Sequence, residues 1–499
     1  MFDFFSIIYV CVQVRASIRA RANCMRTHSC DPTTPALRRF TRWLAKGSEH
    51  TQGVQAEHWS PGKTNNPDTV HWSSAEFASV HNAGINIFEL GEISWLESRI
   101  FTSLGLAALR NASVSDTGAH ALAADIESRF LALDPVAPSV SELAIVPDQE
   151  RLKTLACGNT GAGLRFAANG TITSLSFGQT HGAPQSSWGG GGAAGLGLLE
   201  LSYVTYNTST ESWDGRANMS CTEPGCANPE SRVWSPLLGR VWRNGTRRES
   251  TTVMSSGGTS SCRFVAELLF APALSAKYGA PTHATVELVL DPTSRSMEAS
   301  LVWYNKTATR LPESLMVSFR PAAAAAAAAS AANAAEAEAE AAEAFTTPAA
   351  ALAGEWELDI LGGWTSPYDV GGGTTEQYVH AIWSGARYMT QGGGILLIES
   401  LDAPLACPIL NRTTIAAREA STFLLGGSTP IGEGASSGTP LPRGSINGMA
   451  FNLYNNLMPI SGFAQWYPFG AKGTEFYQEK DEASLFRFRL SEMSNVAIK

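Results

Sequence analysis

ATVELVLDPTSRSMEASLVWY, residues Ala284 to Tyr304, decides the fold class. In it Val286, Leu288 and Leu290 alternate with polar neighbours, the period of two expected of a strand with one buried face. Asp291-Pro292 opens a turn, because an aspartate side chain can bond the backbone two residues on and proline presets φ. A second apolar run follows, so the stretch reads as a β-hairpin. GLRFAANGTITSLSF (Gly163 to Phe177) has the same form, and its Asn169-Gly170 predicts a type I′ turn, in which both central residues need positive φ. EWELDI from Glu355, AIWSGARYM, GILLIESL and LFRFRL add further strands. From about Leu155 onward the chain is read as almost entirely β.

Toward the amino terminus the period changes to 3.6. ALRRFTRWLAKG (Ala36 to Gly47) puts Leu37, Phe40, Trp43 and Leu44 at helical spacing, with Gly47 as a stop. A second helix is expected from about Ser73. A third runs near Glu92 to Arg110, with Ile93, Leu96, Ile100 and Leu104 on one face. A fourth, Thr117 to Leu133, aligns Leu122, Ile126, Phe130 and Leu133 before Pro135 ends it. The expected class is therefore α+β: a helical bundle segment followed by a large all-β sandwich. The divisions are an irregular lead-in or poor signal sequence at 1–35, the helical bundle at 36–135, and a first sandwich part at 150–320. A low-complexity Ala/Glu linker at 321–354 and a second sandwich part at 355–499 complete them.

MFDFFSIIYVCVQV has the apolar length of a signal peptide, but Asp3 stands where a positive charge belongs and Arg15, Arg19 and Arg21 follow the run. No stretch approaches the ~20 continuous apolar residues that span a bilayer, so no membrane span is expected. WGGGGAAGLG (Trp188 to Gly197) lacks the Lys-Ser/Thr of a phosphate loop and reads as a surface insertion. The run from Pro321 to Phe345 has high helix propensity but no stripe larger than Ala, which suits an exposed linker.

Of 499 residues, 44% are hydrophobic and 16% charged, enough apolar material for more than one core and too much for wholesale disorder. The 45 acidic against 36 basic side chains leave a net charge of −9, so there is no basic footprint for nucleic acid. Eight cysteines without a CxxC pair argue against a zinc ribbon or a thioredoxin-like site. Cys221 and Cys226, in CTEPGC, are either a small disulfide loop or two thiols of an insertion. Asn-x-Ser/Thr sequons at Asn111, Asn169, Asn207, Asn218, Asn244, Asn305 and Asn411 are candidate glycosylation sites and favour a secretory route, lysosomal or extracellular.

No GxSxG, HExxH or EF-hand loop occurs. His50, in the turn SEHTQG, is either free to ligate a metal or to contact a sugar, or is an exposed turn histidine. FNLYNNLMPISGFAQWYPFG (Phe451 to Gly470) gathers Asn452, Tyr454, Asn455, Asn456, Trp466 and Tyr467. Planar amides beside flat rings suit carbohydrate, whose hydroxyls want polar partners and whose C–H faces stack on aromatics. Asparagines bracing loops would look alike. Asp402, after the strand in IESLDAPLACP, is either a ligand carboxylate or an Asx-type brace.

The order of several short motifs carries a resemblance. EHTQG, SWLESR (Ser94 to Arg99), LRFAANGTITSL, KYGAP (Lys277 to Pro281), RLPESLMVSF (Arg310 to Phe319), LGGWTSPYDV (Leu361 to Val370), IESLDAPL (Ile398 to Leu405), FNLYNNL and FRFRL together resemble the later part of an uncharacterised family. That family is similar in plan to the class II α-mannosidases of glycoside hydrolase family 38. The resemblance spans roughly Pro35 to Leu490. It implies an amino-terminal α/β barrel with a His-x-Asp metal motif and an aspartate nucleophile, then a helical bundle, then mutarotase-like supersandwich domains.

This chain resembles the bundle and sandwiches. No His-x-Asp precedes Ala36, and about 35 residues cannot make a barrel of roughly 250, so the catalytic barrel is expected to be absent. The chain is expected to be a carboxy-terminal portion without catalytic residues or a cofactor of its own, zinc belonging to a full-length relative. The resemblance places His50, beside Glu49, where the late metal-ligating histidine of the mannosidases falls. The family pattern has Trp where Gln52 stands and Trp-Gly-Thr-Asn where Met458 to Gly462 reads MPISG. The expected partner is carbohydrate. The rival class is a non-catalytic, secreted carbohydrate-binding or structural β-sandwich protein.

Overall fold

The computed structural model describes residues 7–27, 29–47, 100–178, 187–188, 197–205, 230, 232–244, 261–306, 313–321, 354–370, 380–390, 393–410, 443–455 and 482–494. It is α+β, with two ten-stranded antiparallel sheets preceded by helices. The first sheet runs β1 (Leu143–Ile145), β8 (Leu237–Asn244), β9 (Cys262–Leu269), β10 (His283–Asp291), β11 (Ser296–Lys306), β20 (Glu482–Ser494), β17 (Gly394–Ser400), β16 (Gly385–Thr390), β13 (Gly354–Ile360), β14 (Gly363–Thr365). The second runs β15 (His380–Ala381), β18 (Leu405–Leu410), β19 (Ile446–Asn455), β12 (Glu313–Arg320), β6 (Gly197–Thr205), β4 (Ile172–Phe177), β3 (Ala162–Phe166), β2 (Leu155–Ala156). β5 (Ser187–Trp188) adds to β4 and β7 (Arg232–Trp234) to β6. Among the described residues neither sheet closes into a barrel.

The two sequence segments on either side of the Ala/Glu run do not make separate sandwiches. β20, from the end of the chain, lies between β11 and β17 and joins the earlier strands to the later ones. β12 in turn lies between β6 and β19. The sheets face each other through apolar residues on alternate strand positions. Phe488 of β20 reaches Phe319 of β12 and Phe451 of β19 at ring-centroid separations of 5.6 and 5.4 Å.

The deciding hairpin forms as read, with β10 opposite β11 from His283↔Tyr304 to Asp291↔Ser296. Ala284, Val286, Leu288 and Leu290 are all buried. Asp291 closes the turn, its Oδ1 accepting from the Thr293 N–H at 2.9 Å and its Oδ2 from the Ser294 hydroxyl at 2.7 Å. The other hairpin departs from the type I′ expectation. Gly170 alone has positive φ, +82°, while Asn169 does not. The Gly170 N–H bonds the Ala167 carbonyl at 3.0 Å and the Ala167 N–H bonds that of Thr171 at 2.8 Å. This is a type I turn followed by a left-handed glycine, the alternative that adds one residue to the loop.

Trp188 is also not on a surface insertion. It pairs with Leu175 and is 2% exposed, which the glycines after it conceal from a composition-based reading. Residues 189–196 and 322–353 lie outside the described residues.

Four helices form a second, smaller core: α1 (Ile7–Arg26), α2 (Pro35–Gly47), α3 (residues 100–110) and α4 (Thr117–Leu131). The lead-in expected to be irregular thus contains a helix, and its Ala20 and Cys24 are buried with Leu37, Phe40 and Leu44 of α2 and Leu122 and Ile126 of α4. Asp116 caps α4 by accepting from the Ala119 N–H at 3.0 Å. The face expected on the third helix is turned outward: Ile100 and Leu104 are exposed, whereas Thr102, Leu106 and Leu109 are buried. Gly105 explains the rotation, since a Cβ there would lie 3.1 Å from the Phe40 ring, so the glycine side is where α2 packs closest. The helix expected from Ser73 lies outside the described residues.

Two disulfides, absent from the sequence reading, tie these parts. Cys24–Cys30 closes the α1–α2 connection, and Cys157–Cys262 joins the turn between β2 and β3 to the start of β9, linking the two sheets. Cys221 and Cys226 lie outside the described residues.

Candidate functional site

One end of the sandwich collects the polar chemistry. There β6, β12 and β19 run side by side, with Glu313 opposite Thr205 and Ser314 opposite Asn455. Asn455, the first of the expected carbohydrate-contacting amides of this segment, is the last residue of β19. Asn456 and Trp466 lie outside the described residues.

Beneath that edge lies a fully buried cluster. The Lys306 ammonium donates to Glu313 Oε1 at 2.7 Å, and the Tyr454 hydroxyl donates to the same oxygen at 3.3 Å. The Tyr203 hydroxyl donates to Glu313 Oε2 and is also 2.9 Å from the Tyr278 carbonyl, so one proton is shared between two acceptors. The Lys306 ammonium sits 5.3 Å from the Tyr454 ring centroid. Burial, with the Glu313 charge adding to it, pushes the Tyr203 hydroxyl well above the usual phenol range. Burial pulls Lys306 below the ordinary lysine value, and Glu313 opposes that pull. A carboxylate with three donors and no exposed surface is held in place rather than free to attack. Its contribution is to fix Tyr454, and with it the strand end that carries Asn455.

Lys306 was not foreseen because its strand changes phase. Tyr304 faces outward, and simple alternation would put Lys306 on the same side. A β-bulge between Trp303 and Lys306, with Asn305 at φ +58°, turns it inward.

The rim is aromatic. The Trp234 indole N–H donates to the Thr205 hydroxyl at 3.0 Å, that hydroxyl donates to the Glu230 carbonyl at 2.7 Å, and the Arg232 guanidinium lies 4.2 Å from the Trp234 ring centroid. Tyr278 meets Trp234 at 6.0 Å. Tyr278 ends α5 (Pro272–Tyr278), which Gly279 stops in the left-handed conformation. This glycine is the centre of the KYGAP motif.

Asp402 is elsewhere, in the loop after β17. Its Oδ2 accepts from the Arg487 backbone N–H and from Nε, and its Oδ1 from the guanidinium NH2, all at 2.9 Å. It is 1% exposed and braces β20. That bonding raises the Arg487 guanidinium despite its burial. Arg19 of α1 joins the brace by donating to the carbonyls of Leu401, Ser400 and Trp383 at 3.1, 3.2 and 3.3 Å, so the helical core is fastened to the sheet at this point. Burial lowers the Arg19 guanidinium.

His50 lies outside the described residues, among which no group of three or more metal-ligating side chains occurs. No helix among the described residues is long and apolar enough to cross a membrane. Asn111, Asn244 and Asn305 are exposed and Asn169 is half-buried. The Asn244 amide bridges β8 to the start of β9, donating to the Ser261 carbonyl at 3.3 Å and accepting from the Arg263 N–H at 3.0 Å. Asn207, Asn218 and Asn411 lie outside the described residues.

No protein-family model matches the chain, and no curated protein matches it in sequence. Among solved structures it is similar to a protein in glycosyl hydrolase family 38 from Enterococcus faecalis, at 9% identity and a TM-score of 0.31, covering 72% of this chain and 32% of that one. It is also similar to an α-mannosidase from Enterococcus faecalis V583, at 8% identity and a TM-score of 0.35, covering 91% of this chain and 54% of that one. The chain thus spans about a third and about half of the lengths of these two proteins.

Proposed function

We propose that this chain is the helical and supersandwich portion of a carbohydrate-processing protein of the α-mannosidase plan, contributing sugar contacts rather than bond cleavage. The observation that carries the reading is where the family motifs fall. RLPESLMVSF and FNLYNNL lie on the adjacent strands β12 and β19, LRFAANGTITSL on β3 and β4 of the same sheet. IESLDAPL and FRFRL lie on the adjacent strands β17 and β20 of the other. Motifs far apart in sequence are thus neighbours in space, as one shared architecture requires. The sugar contacts are assigned to Asn455, at the end of β19 beside β12, and to Asn456 and Trp466, which lie outside the described residues. Two disulfides and exposed sequons suit the secretory pathway, a lysosome or the extracellular space.

The test is calorimetric titration of the full chain with mannose oligosaccharides, alongside an aryl α-mannoside assay. Weak binding reduced by Asn455→Ala or Trp466→Ala, without turnover, is the expected result. No heat with any hexose would sink the sugar-contact reading, and turnover by the chain alone would sink the division of labour.

A further inference from the structure

The helical core is charged unlike the rest of the chain. Residues 7–47 hold eight basic side chains against one acidic, Asp31, whereas the whole sequence has 45 acidic against 36 basic. Such asymmetry within one chain points to a polyanionic surface as partner. Asp31 does little to offset it, because its Oδ1 accepts from the Thr33 N–H at 2.8 Å and from the Thr33 hydroxyl at 2.6 Å.

The fold gathers this charge on one side of α2. That helix buries Leu37, Phe40 and Leu44 in the helical core and stacks Trp43 on Phe101 of α3 at 5.8 Å. Arg38, Arg42 and Lys46 follow one another at four-residue spacing, with Arg39 beside them, and all four are exposed. Like charges in one such row repel each other. Among the described residues no ion pair joins Arg39 or Arg42 to an acidic side chain. α1 adds exposed Arg26 and half-buried Arg21, whose Nε donates to the Thr41 hydroxyl of α2 at 3.0 Å. Arg19, by contrast, is fastened to the sandwich.

A second feature selects lipid among polyanions. α1 opens with IIYVCVQV, Ile7 to Val14, so no side of these two turns is charged. The run is too short to cross a bilayer, which takes ~20 apolar residues, but long enough to lie in its interfacial layer. One shallow apolar anchor holds a protein to a membrane only marginally, and a basic patch beside it supplies the second attachment. Each arginine near an anionic surface raises the affinity about fivefold. We propose that the basic row of α2, together with the apolar start of α1, docks the protein on an anionic phospholipid surface. The docking face is independent of the carbohydrate reading.

The experiment is co-sedimentation of the full chain with vesicles of phosphatidylcholine alone and with about one-third phosphatidylserine. Binding to the mixed vesicles at least about tenfold stronger, and falling between about 0.1 and 0.5 M salt, is the expected result. Arg39→Glu/Arg42→Glu should weaken it at least about tenfold with an unchanged melting curve, since both side chains lie outside the core. Arg39→Gln/Arg42→Gln should give a smaller loss in the same direction. Ile8→Asn/Val12→Asn should also weaken binding while leaving its salt dependence. Equal binding to neutral and mixed vesicles, or full affinity in both arginine variants, would overturn the docking face. Retention on a sulfated polysaccharide without binding to either vesicle would overturn the lipid surface and assign the basic row to an acidic glycan.

Discussion

Lys306 and Glu313 form an ion pair with no exposed surface where the chain crosses from the last residue of β11 in one sheet to the first of β12 in the other. Removing one partner leaves a buried charge uncompensated, which typically costs about 3–5 kcal/mol. Lys306→Met should therefore lower the urea midpoint sharply, and Lys306→Met with Glu313→Leu should recover much of the loss. If the double variant is as unstable as the single one, the pair's cost is in packing rather than charge.

Asp402 has the environment of a brace, with Arg487 filling both carboxylate oxygens. Asp402→Ala is expected to cost about 1–3 kcal/mol, because Arg487, whose side chain is only partly buried, and the neighbouring Arg19 lose their counter-charge. Sugar affinity measured below the melting transition should not change. A selective loss of affinity with unchanged stability would restore the ligand reading of this residue.

Cys157–Cys262 closes a long loop, with a sequence separation of 105, and Cys24–Cys30 a short one, with a separation of 6. In the chain-entropy account the long bridge is worth about 4–5 kcal/mol and the short one about 2. The Cys157→Ser/Cys262→Ser protein should therefore lose more stability than Cys24→Ser/Cys30→Ser, as read from chemical denaturation under non-reducing conditions. Equal losses would show that sheet-to-sheet packing already restricts the unfolded chain.

Strands were legible because alternation is local: Val286, Leu288 and Leu290 announce their face without reference to the rest of the chain. Sheet membership was not, since nothing in LFRFRL shows that it will insert between β11 and β17. Glu313 and Lys306 show a second limit. A bulge of one residue reverses a strand's facing, and no composition signal marks Asn305 as its pivot. The third helix forms over residues 100–110, but its buried face was misread for a related reason, as its larger side chains, Ile100 and Leu104, face outward while Gly105 marks the side packed on Phe40. The Cys157–Cys262 pairing depends on two sheets meeting.

Acid should weaken the fold in part through Asp291 and Glu267. The Ser294 hydroxyl, then the Thr293 and Ser294 backbone, hold the Asp291 carboxyl below its ordinary value, and the Arg240 side chain does the same for Glu267. A carboxylate depressed in the folded state binds its proton at higher pH when unfolded. The associated stability is present above the unfolded values near 4 and is lost as pH falls through the folded ones. Denaturation midpoints followed from about pH 5 to pH 2 should decline, and Asp291→Asn should flatten part of that decline while keeping the turn's acceptor. An unaltered slope in the variant would mean that the turn contributes nothing to acid sensitivity.

Two glycines separate backbone strain from space. Gly158 and Gly170 both have positive φ, +57° and +82°, but a Cβ at Gly158 would meet nothing within 4 Å, whereas at Gly170 it would lie 2.1 Å from Leu268 Cδ2. Gly158→Ala should cost only the conformational penalty, about 1 kcal/mol. Gly170→Ala adds a collision with a buried leucine on β9 of the opposite sheet, so it should cost about 1–3 kcal/mol more, the range for overpacking. Leu268→Ala in the Gly170→Ala background should relieve that collision: in a double-mutant cycle the pair should be less destabilised than the sum of the singles. Additive losses would instead assign the whole effect at Gly170 to its φ, and the turn would not be coupled to the packing between the sheets.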